Sequence, residues 1–266
     1  MRLLIQSDDY GITEGVSAGI IKAIEFGLVK NTGMFVNMPA SLNAANAIKN
    51  IDVCLGIDIN YVCGKPVADP KLIPHIVDEN GNFYKSSVMA KKNKLVSMDE
   101  LGIISYFEQD PYPYEEIYLE TENQVKKFIE LVGRKPEYIH PHSLSTPNTV
   151  KAAHDVAEKY GIYHSIDMMH QYRILPGTFD GTKGNSIESQ MDWDVVGNLL
   201  SNALPSMKKD ETCYFICHSG YVDYDLFKYT SLTLRRVKDL DAMLSEELKK
   251  YMIQNNIELI TYRDLR

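Results

Sequence analysis

Short apolar runs alternate with longer segments of helical period along almost the whole chain, and this rhythm limits the folds that the sequence can adopt. The run at residues 53–59 is apolar enough to be a strand buried on both faces, as the strands of a parallel sheet are. Such alternation of strands and helices predicts an α/β fold, and about six to eight units favour a distorted (β/α) TIM-like barrel of mostly parallel strands.

An open, doubly wound sheet is the alternative fold. No Gly-x-Gly-x-x-Gly motif follows the first strand, at residues 2–6, so we do not expect a dinucleotide site. No repeat, low-complexity tract or linker divides the chain. The sequence therefore predicts a single domain over residues 1–266, with a long irregular insertion at about residues 61–94.

Local signals predict where several helices begin and end. Thr13 caps a first helix, Gly133 closes a long one, and Pro147 fits the first turn of another. The capping box at residues 97–100 predicts the start of a helix. Residues 232–254 are expected to form one long amphipathic helix.

Composition and charge exclude several classes of protein. The chain has 44% hydrophobic and 24% charged residues and a net charge of −8, which is typical of globular proteins and lacks the basic patch of a general binder of nucleic acid or anionic membranes. No apolar run reaches the roughly 18 residues of a membrane span. The four cysteines show no zinc-ribbon or disulfide pattern. We expect buried free thiols and a cytoplasmic location.

Acidic residues and histidines follow the predicted strands. In a parallel barrel the carboxyl ends of the strands open on one face, where catalytic groups collect. Carboxylates and imidazoles from different strands suit a divalent metal site. The residues in question are Asp8, Asp9, Asp58, His140, His142 and His218.

Each of these residues also has a structural interpretation. The two adjacent aspartates could cap the first helix, and the histidines could be core or loop residues. Asp58 is harder to explain in this way, because an unpaired carboxylate within an apolar strand is costly to bury.

A set of ordered motifs resembles the YdjC-like carbohydrate deacetylases of the chitooligosaccharide deacetylase type, over nearly the whole chain. The motifs are Ser7-Asp8-Asp9-Tyr10-Gly11, Gly56-Ile57-Asp58-Ile59-Asn60 with Gly64-Lys65-Pro66, Asp78-Glu79-Asn80-Gly81-Asn82-Phe83, residues 136–142, Arg173, Cys217-His218-Ser219-Gly220-Tyr221-Val222-Asp223, residues 235–240 and Thr261-Tyr262-Arg263-Asp264-Leu265.

The resemblance implies a metal-dependent enzyme that removes N-acetyl groups from amino sugars. It implies Asp8 as catalytic base and His218 as general acid. It further implies that Asp9, the residue at position 58 and His142 bind a divalent ion, which could be zinc, magnesium or manganese. A family arginine corresponds to Arg173, which would orient the base or the substrate.

Two identities depart from the family pattern. Asp58 stands where the family has histidine, and His140 stands where it has aspartate. We expect Asp58 to bind the metal directly, with His140 as an alternative ligand or as a support for the ligands. Because this set is richer in oxygen, we expect metal preference to move from zinc toward manganese or magnesium.

The expected substrate is a small amino sugar or chitooligosaccharide-type carbohydrate, with Tyr61 and Tyr221 offering faces for sugar stacking. Core packing is the alternative for these aromatic residues. The alternative functions are a non-catalytic barrel that binds a sugar or partner, and a metal-dependent hydrolase of another bond such as a phosphoester. No nucleic-acid or membrane partner is expected, and assembly into a homo-oligomer stays open.

Overall fold

The computed structural model describes residues 1–178 and 186–265 as an α/β fold. The strands are β1 Arg2–Tyr10, β2 Asn31–Met34, β3 Cys54–Ile59, β4 Leu95–Met98, β5 Ser105–Phe107, β6 Tyr138–Pro141, β7 Tyr163–His164, β8 Arg173–Ile174, β9 Thr212–Cys217 and β10 Glu258–Ile260. The α-helices are α1 Glu14–Phe26, α2 Ser41–Ile48, α3 Ser86–Lys92, α4 Tyr114–Val132, α5 Pro147–Tyr160, α6 Ser165–Gln171, α7 Ile187–Asp192, α8 Val195–Asn198, α9 Leu226–Tyr229, α10 Leu234–Leu244 and α11 Glu246–Gln254.

The chain divides into two compact units. The first contains residues 1–34, 40–55 and the chain from residue 171 onward. The second contains residues 35–39 and 56–170. The single-domain organisation expected from the sequence stays a prediction.

Strand β1 is the centre of the first unit. It pairs in parallel with β9 along one edge, and with β10 and β2 at successive positions. Strand β8 extends the sheet beyond β9, again in parallel, and the backbone N–H of Cys54 at the start of β3 donates to the carbonyl of Lys30 (3.0 Å). Strand β1 is buried almost throughout, because layers of helices cover parallel sheets on both faces.

Parallel pairing also organises the strands of the second unit. Strand β6 pairs in parallel with β3 and with β7. Gly56 lies against the ring of Tyr138, where a Cβ atom would approach to 2.5 Å. Only glycine fits this close contact within β3.

Helix α4 holds the chain around residues 60–75 by a row of buried polar side chains. The Glu120 carboxylate accepts hydrogen bonds from the backbone N–H groups of Val67 (2.9 Å) and Ala68 (2.8 Å). Gln124 bonds both backbone groups of Asn60 (3.0 and 2.6 Å). Backbone groups of an irregular segment have no partners in a helix or sheet, and here polar side chains on the buried face of α4 supply those partners.

The insertion expected at residues 61–94 contains more regular structure than the sequence indicates. It includes a 3₁₀ turn at Pro70–Leu72 and helix α3.

The helix predicted from residues 97–100 is wrong. Strands β4 and β5 form an antiparallel hairpin there, with Met98 opposite Ser105. The Asp99 carboxylate accepts from the backbone N–H groups of Ile103 (2.6 Å) and Ile104 (2.9 Å) and so closes the hairpin turn. Aspartate favours turns through such bonds as well as helix starts, and local sequence does not separate the two uses.

The single helix predicted over residues 232–254 is also wrong in detail. Two helices, α10 and α11, occupy this stretch. Ser245 lies between them in an extended conformation, and its side chain accepts from the N–H of Leu248 to cap α11. A serine N-cap thus interrupts an otherwise continuous apolar pattern.

Other expectations are confirmed. The fold class is α/β with a mostly parallel sheet. Thr13 caps α1, Gly133 ends α4 in the left-handed conformation, and Pro147 opens α5. The four cysteines are buried free thiols.

No helix in the described ranges is long and apolar enough to cross a membrane.

Glu120 makes the stability of the protein depend on pH. Burial raises the pKa of Glu120 to about 7 from its ordinary value of 4.5, although its hydrogen bonds from Val67, Ala68 and Gln124 act in the opposite direction. Between about pH 4.5 and pH 7, Glu120 is therefore protonated in the folded chain and ionised in the unfolded chain. The free energy of unfolding is expected to fall as pH rises from about 4.5 to about 7, by up to about 3 kcal/mol.

Urea unfolding at about pH 5 and pH 8 checks this expectation. The glutamine in Glu120→Gln does not titrate. The free energy of unfolding of this variant, relative to that of the wild type, should therefore be higher at pH 8 than at pH 5. Glu115→Gln, at an exposed position of the same helix, is the matched control and should track the wild type. Identical pH dependence of wild type and Glu120→Gln would contradict the assignment.

Candidate active site

Two adjacent aspartates lie at the carboxyl end of β1, within the strand rather than after it as expected. Asp8 and Asp9 are both buried. Asp9 has a φ of 71°, and the pairing register with β2 shifts between Ser7 and Tyr10. A left-handed non-glycine residue at a bulge is a strained feature that re-aims side chains, and such features concentrate at functional sites.

Asp8 is held by a short chain of hydrogen bonds. The amide of Gln6, two residues earlier and on the same face of the strand, donates to the Asp8 carboxylate (2.5 Å). The hydroxyl of Tyr262 in turn donates to Oε1 of the Gln6 side chain (2.6 Å). This chain orients Asp8 through neutral partners, and the predicted catalytic base is fixed in place.

Asp9 forms a buried ion pair with Arg236 of α10. The guanidinium donates to the Asp9 carboxylate (2.5 Å), and both side chains are almost fully buried. Arg236 is itself anchored by a bond from Nε to the carbonyl of Leu232 (2.8 Å). Because burial makes unpaired charges costly, each member of the pair depends on the other.

His218 follows β9, whose last residue is level with Ser7 of β1. Its backbone N–H donates to Asp239 of α10 (2.8 Å), and the next N–H, of Ser219, donates to the Ser7 hydroxyl (3.0 Å). The pKa of the imidazole is lowered, mainly by burial, while the charges of Asp9 and other nearby carboxylates act to raise it. Within the first unit, the structure thus brings His218 together with the aspartate pair.

The loop after His218 docks on α1. A Cβ atom on Gly19 would lie 2.6 Å from the Cα of Gly220, so this position of α1 has no room for a side chain. Asp223 accepts from the N–H of Gly15 at the start of α1 (2.6 Å). Tyr221 is 39% exposed, so it is accessible to a ligand, and its substrate role stays a prediction.

Arg173 lies away from the aspartate pair. It is level with Cys213 at the amino end of β9, whereas His218 follows the carboxyl end. Its guanidinium makes a two-pronged contact with Glu211 (2.7 and 2.9 Å) and also binds Ser206. The guanidinium beside Glu211 lowers the pKa of that carboxyl to about 2. This placement favours a structural role for Arg173.

In the second unit, Asp58 and His140 are register partners on the neighbouring strands β3 and β6. Directly paired residues point to the same face of a sheet. Asp58 is fully buried, and the His140 ring bonds the Ser165 hydroxyl (2.8 Å). The His142 ring packs edge-on against Phe35 at 4.8 Å. These residues are therefore held near one another at the carboxyl ends of β3 and β6.

Tyr61 is 1% exposed. Its hydroxyl bonds Thr121, its ring packs on Tyr112, and burial raises its pKa. The position favours core packing, the alternative considered above, over sugar stacking.

The described side chains form no metal-binding cluster. Within the described ranges, no group of three or more histidine, cysteine, aspartate or glutamate residues is placed to hold a metal. Oδ2 of Asp9 is paired with Arg236. The ligand set of Asp9, Asp58 and His142 stays a prediction, with its first member in one unit and the other two in the other.

Comparison with known proteins identifies the family. The family of YdjC-like proteins matches residues 2–254. The chain belongs to the YdjC-like family. The resemblance seen in the ordered motifs is confirmed.

The YdjC-like chain is also similar to individual proteins over its full length. A protein of Clostridium beijerinckii named carbohydrate deacetylase is 26% identical, and the match covers 100% of both chains. Carbohydrate deacetylase 2 of Listeria innocua is 26% identical, over 100% of this chain and 99% of its own.

Among solved structures, a proposed cellobiose-phosphate cleavage protein of Enterococcus faecalis V583 has a TM-score of 0.77 and 22% identity. The match covers 99% of this chain and 98% of that one. At this identity the comparison shows the fold alone.

Arg236 and Asp239 were missed as site residues in the YdjC-like sequence. A signal was present, since both lie on the helix stripe that also carries Leu240 and Met243. Charged residues on an apolar stripe are buried only when paired, which points to partners elsewhere in the fold. The sequence does not say that Asp9 is the partner.

A double-mutant cycle tests the Asp9–Arg236 pair. Arg236→Met should lower the free energy of unfolding by about 3–5 kcal/mol, because it leaves a buried carboxylate unpaired. Asp9→Asn is the suitable partner change, since asparagine tolerates the left-handed conformation. The double variant should lose less than the sum of the single losses, by about 0.5–3 kcal/mol, in urea unfolding. Strictly additive losses would contradict the pairing.

Proposed function

We propose that the protein is a hydrolase that removes an N-acetyl group from a small amino sugar or chitooligosaccharide-type carbohydrate. The observation that carries this proposal is the pairing of Ser7 with Cys217 at the carboxyl ends of the adjacent strands β1 and β9, because the next residues along the two chains are Asp8 and His218. The naming of its full-length relatives as carbohydrate deacetylases supports the substrate class.

Hydrolysis of an amide needs a base for the attacking water and an acid for the leaving nitrogen. Asp8 is the base, because the side-chain amide of Gln6 orients its carboxylate. The neighbouring carboxylate, Asp9, forms an ion pair with Arg236 instead. His218 is the acid. Its lowered pKa makes the imidazolium a stronger proton donor, and the neighbouring carboxylates stabilise that cation once it forms.

Acetate release from a panel of N-acetylated mono- and disaccharides tests the proposal. Asp8→Asn and His218→Ala should each lower turnover by roughly 10²–10⁴, the usual contribution of one acid–base group. Asp225→Asn and His154→Ala, which alter residues outside the site, are the matched controls and should retain activity. Wild-type protein that releases no acetate from any member of the panel would contradict the proposed function.

Metal dependence, which the family resemblance implies, needs its own test because the described side chains do not form a metal site. If Asp9, Asp58 and His142 are ligands, elemental analysis should find zinc, manganese or magnesium in the purified protein. Asp9→Asn should lose that metal, whereas Asp8→Asn should keep it. Full activity in protein shown to be free of metal would contradict the ligand set.

One observation favours a second candidate, a barrel that binds carbohydrate without catalysis. Oδ2 of the Asp9 carboxylate is paired with Arg236, so this oxygen is not available as a metal ligand. Sugar binding that is unaffected by Asp8→Asn, together with no acetate release by wild type, would favour this candidate.

A further inference from the structure

A cleft of about 380 Å³ lies in the second unit between α3, the β4–β5 hairpin and the loop after β6. Its volume falls within the roughly 300–1,000 Å³ of small-molecule sites. The loop contributes Ser143, the residue that directly follows His142. The cleft therefore begins beside a residue of the candidate site.

Half of the residues that line the cleft are serines. None of their hydroxyls makes a hydrogen bond to another part of the described chain. Each hydroxyl is one donor and two acceptors, so the cleft presents free groups of both kinds. They belong to Ser86, Ser87, Ser105, Ser143 and Ser145.

The remaining lining residues are uncharged and non-aromatic. A phosphate or carboxylate would find no arginine or lysine in the lining, although such groups are normally recognised by charged donors. A nucleobase would find no ring on which to stack. The lining thus disfavours anions and bases and suits a neutral ligand rich in hydroxyls.

Apolar side chains complete the surface. Met98, Ile103 and Leu144 lie among the serines. A sugar ring carries C–H groups on its faces and hydroxyls on its edge, so it can use both kinds of wall.

Backbone hydrogen bonds fix the walls relative to one another. The N–H of Ser105 on the hairpin donates to the carbonyl of Ser145 on the loop (2.8 Å), and Ile104 forms a parallel bridge with the same serine. Asp99 closes the hairpin turn through Ile103. A preformed site loses little conformational entropy when a ligand binds.

We propose that this serine-lined cleft binds an uncharged sugar ring and discriminates against phosphorylated sugars. The choice of carbohydrate rests in part on the proposed function, whereas the preference for a neutral ligand rests on the lining alone.

Binding measured by calorimetry on full-length protein carrying Asp8→Asn, which should prevent turnover, tests the proposal. The probes are N,N′-diacetylchitobiose, N-acetylglucosamine and N-acetylglucosamine 6-phosphate. Replacing Ser86 and Ser87 together by alanine should raise the Kd of the disaccharide roughly tenfold, the effect of two lost hydrogen bonds. Ser97→Ala, at an exposed serine of the same hairpin outside the lining, is the matched control.

A charge exchange gives the second measurement. N-acetylglucosamine should bind more tightly than its 6-phosphate, and Ser87→Lys should reverse that order, whereas Ser97→Lys should not. The proposal is overturned if the double alanine variant binds the disaccharide as tightly as the parent, or if the phosphate binds as tightly as the neutral sugar.

These outcomes are independent of the deacetylase assay. Serine-dependent sugar binding without acetate release by wild type would contradict the proposed function and leave the cleft standing. Acetate release with no effect of the serine substitutions on binding would contradict the cleft and leave the proposed function standing.

Discussion

The parallel pairing of β1 on both of its edges is the constraint on which the first unit depends. Pairing with the neighbouring strands gives the buried backbone N–H and C=O groups of β1 hydrogen-bond partners. The register with β9 places Ser7 opposite Cys217. This register brings the next residues, Asp8 and His218, to the same edge. The bulge before Tyr10 adds the left-handed turn at Asp9. The chemistry at this edge follows from how one strand pairs.

A buried charged residue at this edge of the sheet is paired with a charged group of α10. Helix α10 supplies Arg236 to Asp9, and Asp239 to the backbone N–H of His218. A buried ion pair adds little net stability over apolar packing, but the loss of one partner is severe. Asp9 and Arg236 are therefore constrained together, while Asp8 accepts a hydrogen bond from the neutral amide of Gln6. The two adjacent carboxylates thus differ in the charge of a hydrogen-bond donor that holds them.

The second unit uses buried polar groups for a different purpose. Glu120 and Gln124 of α4 hold irregular backbone at Asn60 and residues 67–68, at the cost of burying a carboxylate whose pKa rises. The chain that leaves this region forms α3 and the hairpin, two walls of the serine-lined cleft. Buried polar side chains of α4 thus fix the irregular backbone that precedes these elements.

The alternation of apolar strands and amphipathic helices determined the α/β class, and helix signals such as Thr13 and Pro147 determined local ends, because these depend on neighbours in sequence. The motif order also indicated Asp8 and His218. Tertiary structure alone decided that Arg236 pairs with Asp9 and that Arg173 pairs with Glu211. These ion pairs join residues that are 38 and 227 positions apart in the sequence. The sequence pattern indicates that a buried charged residue needs a partner, but it does not identify that partner.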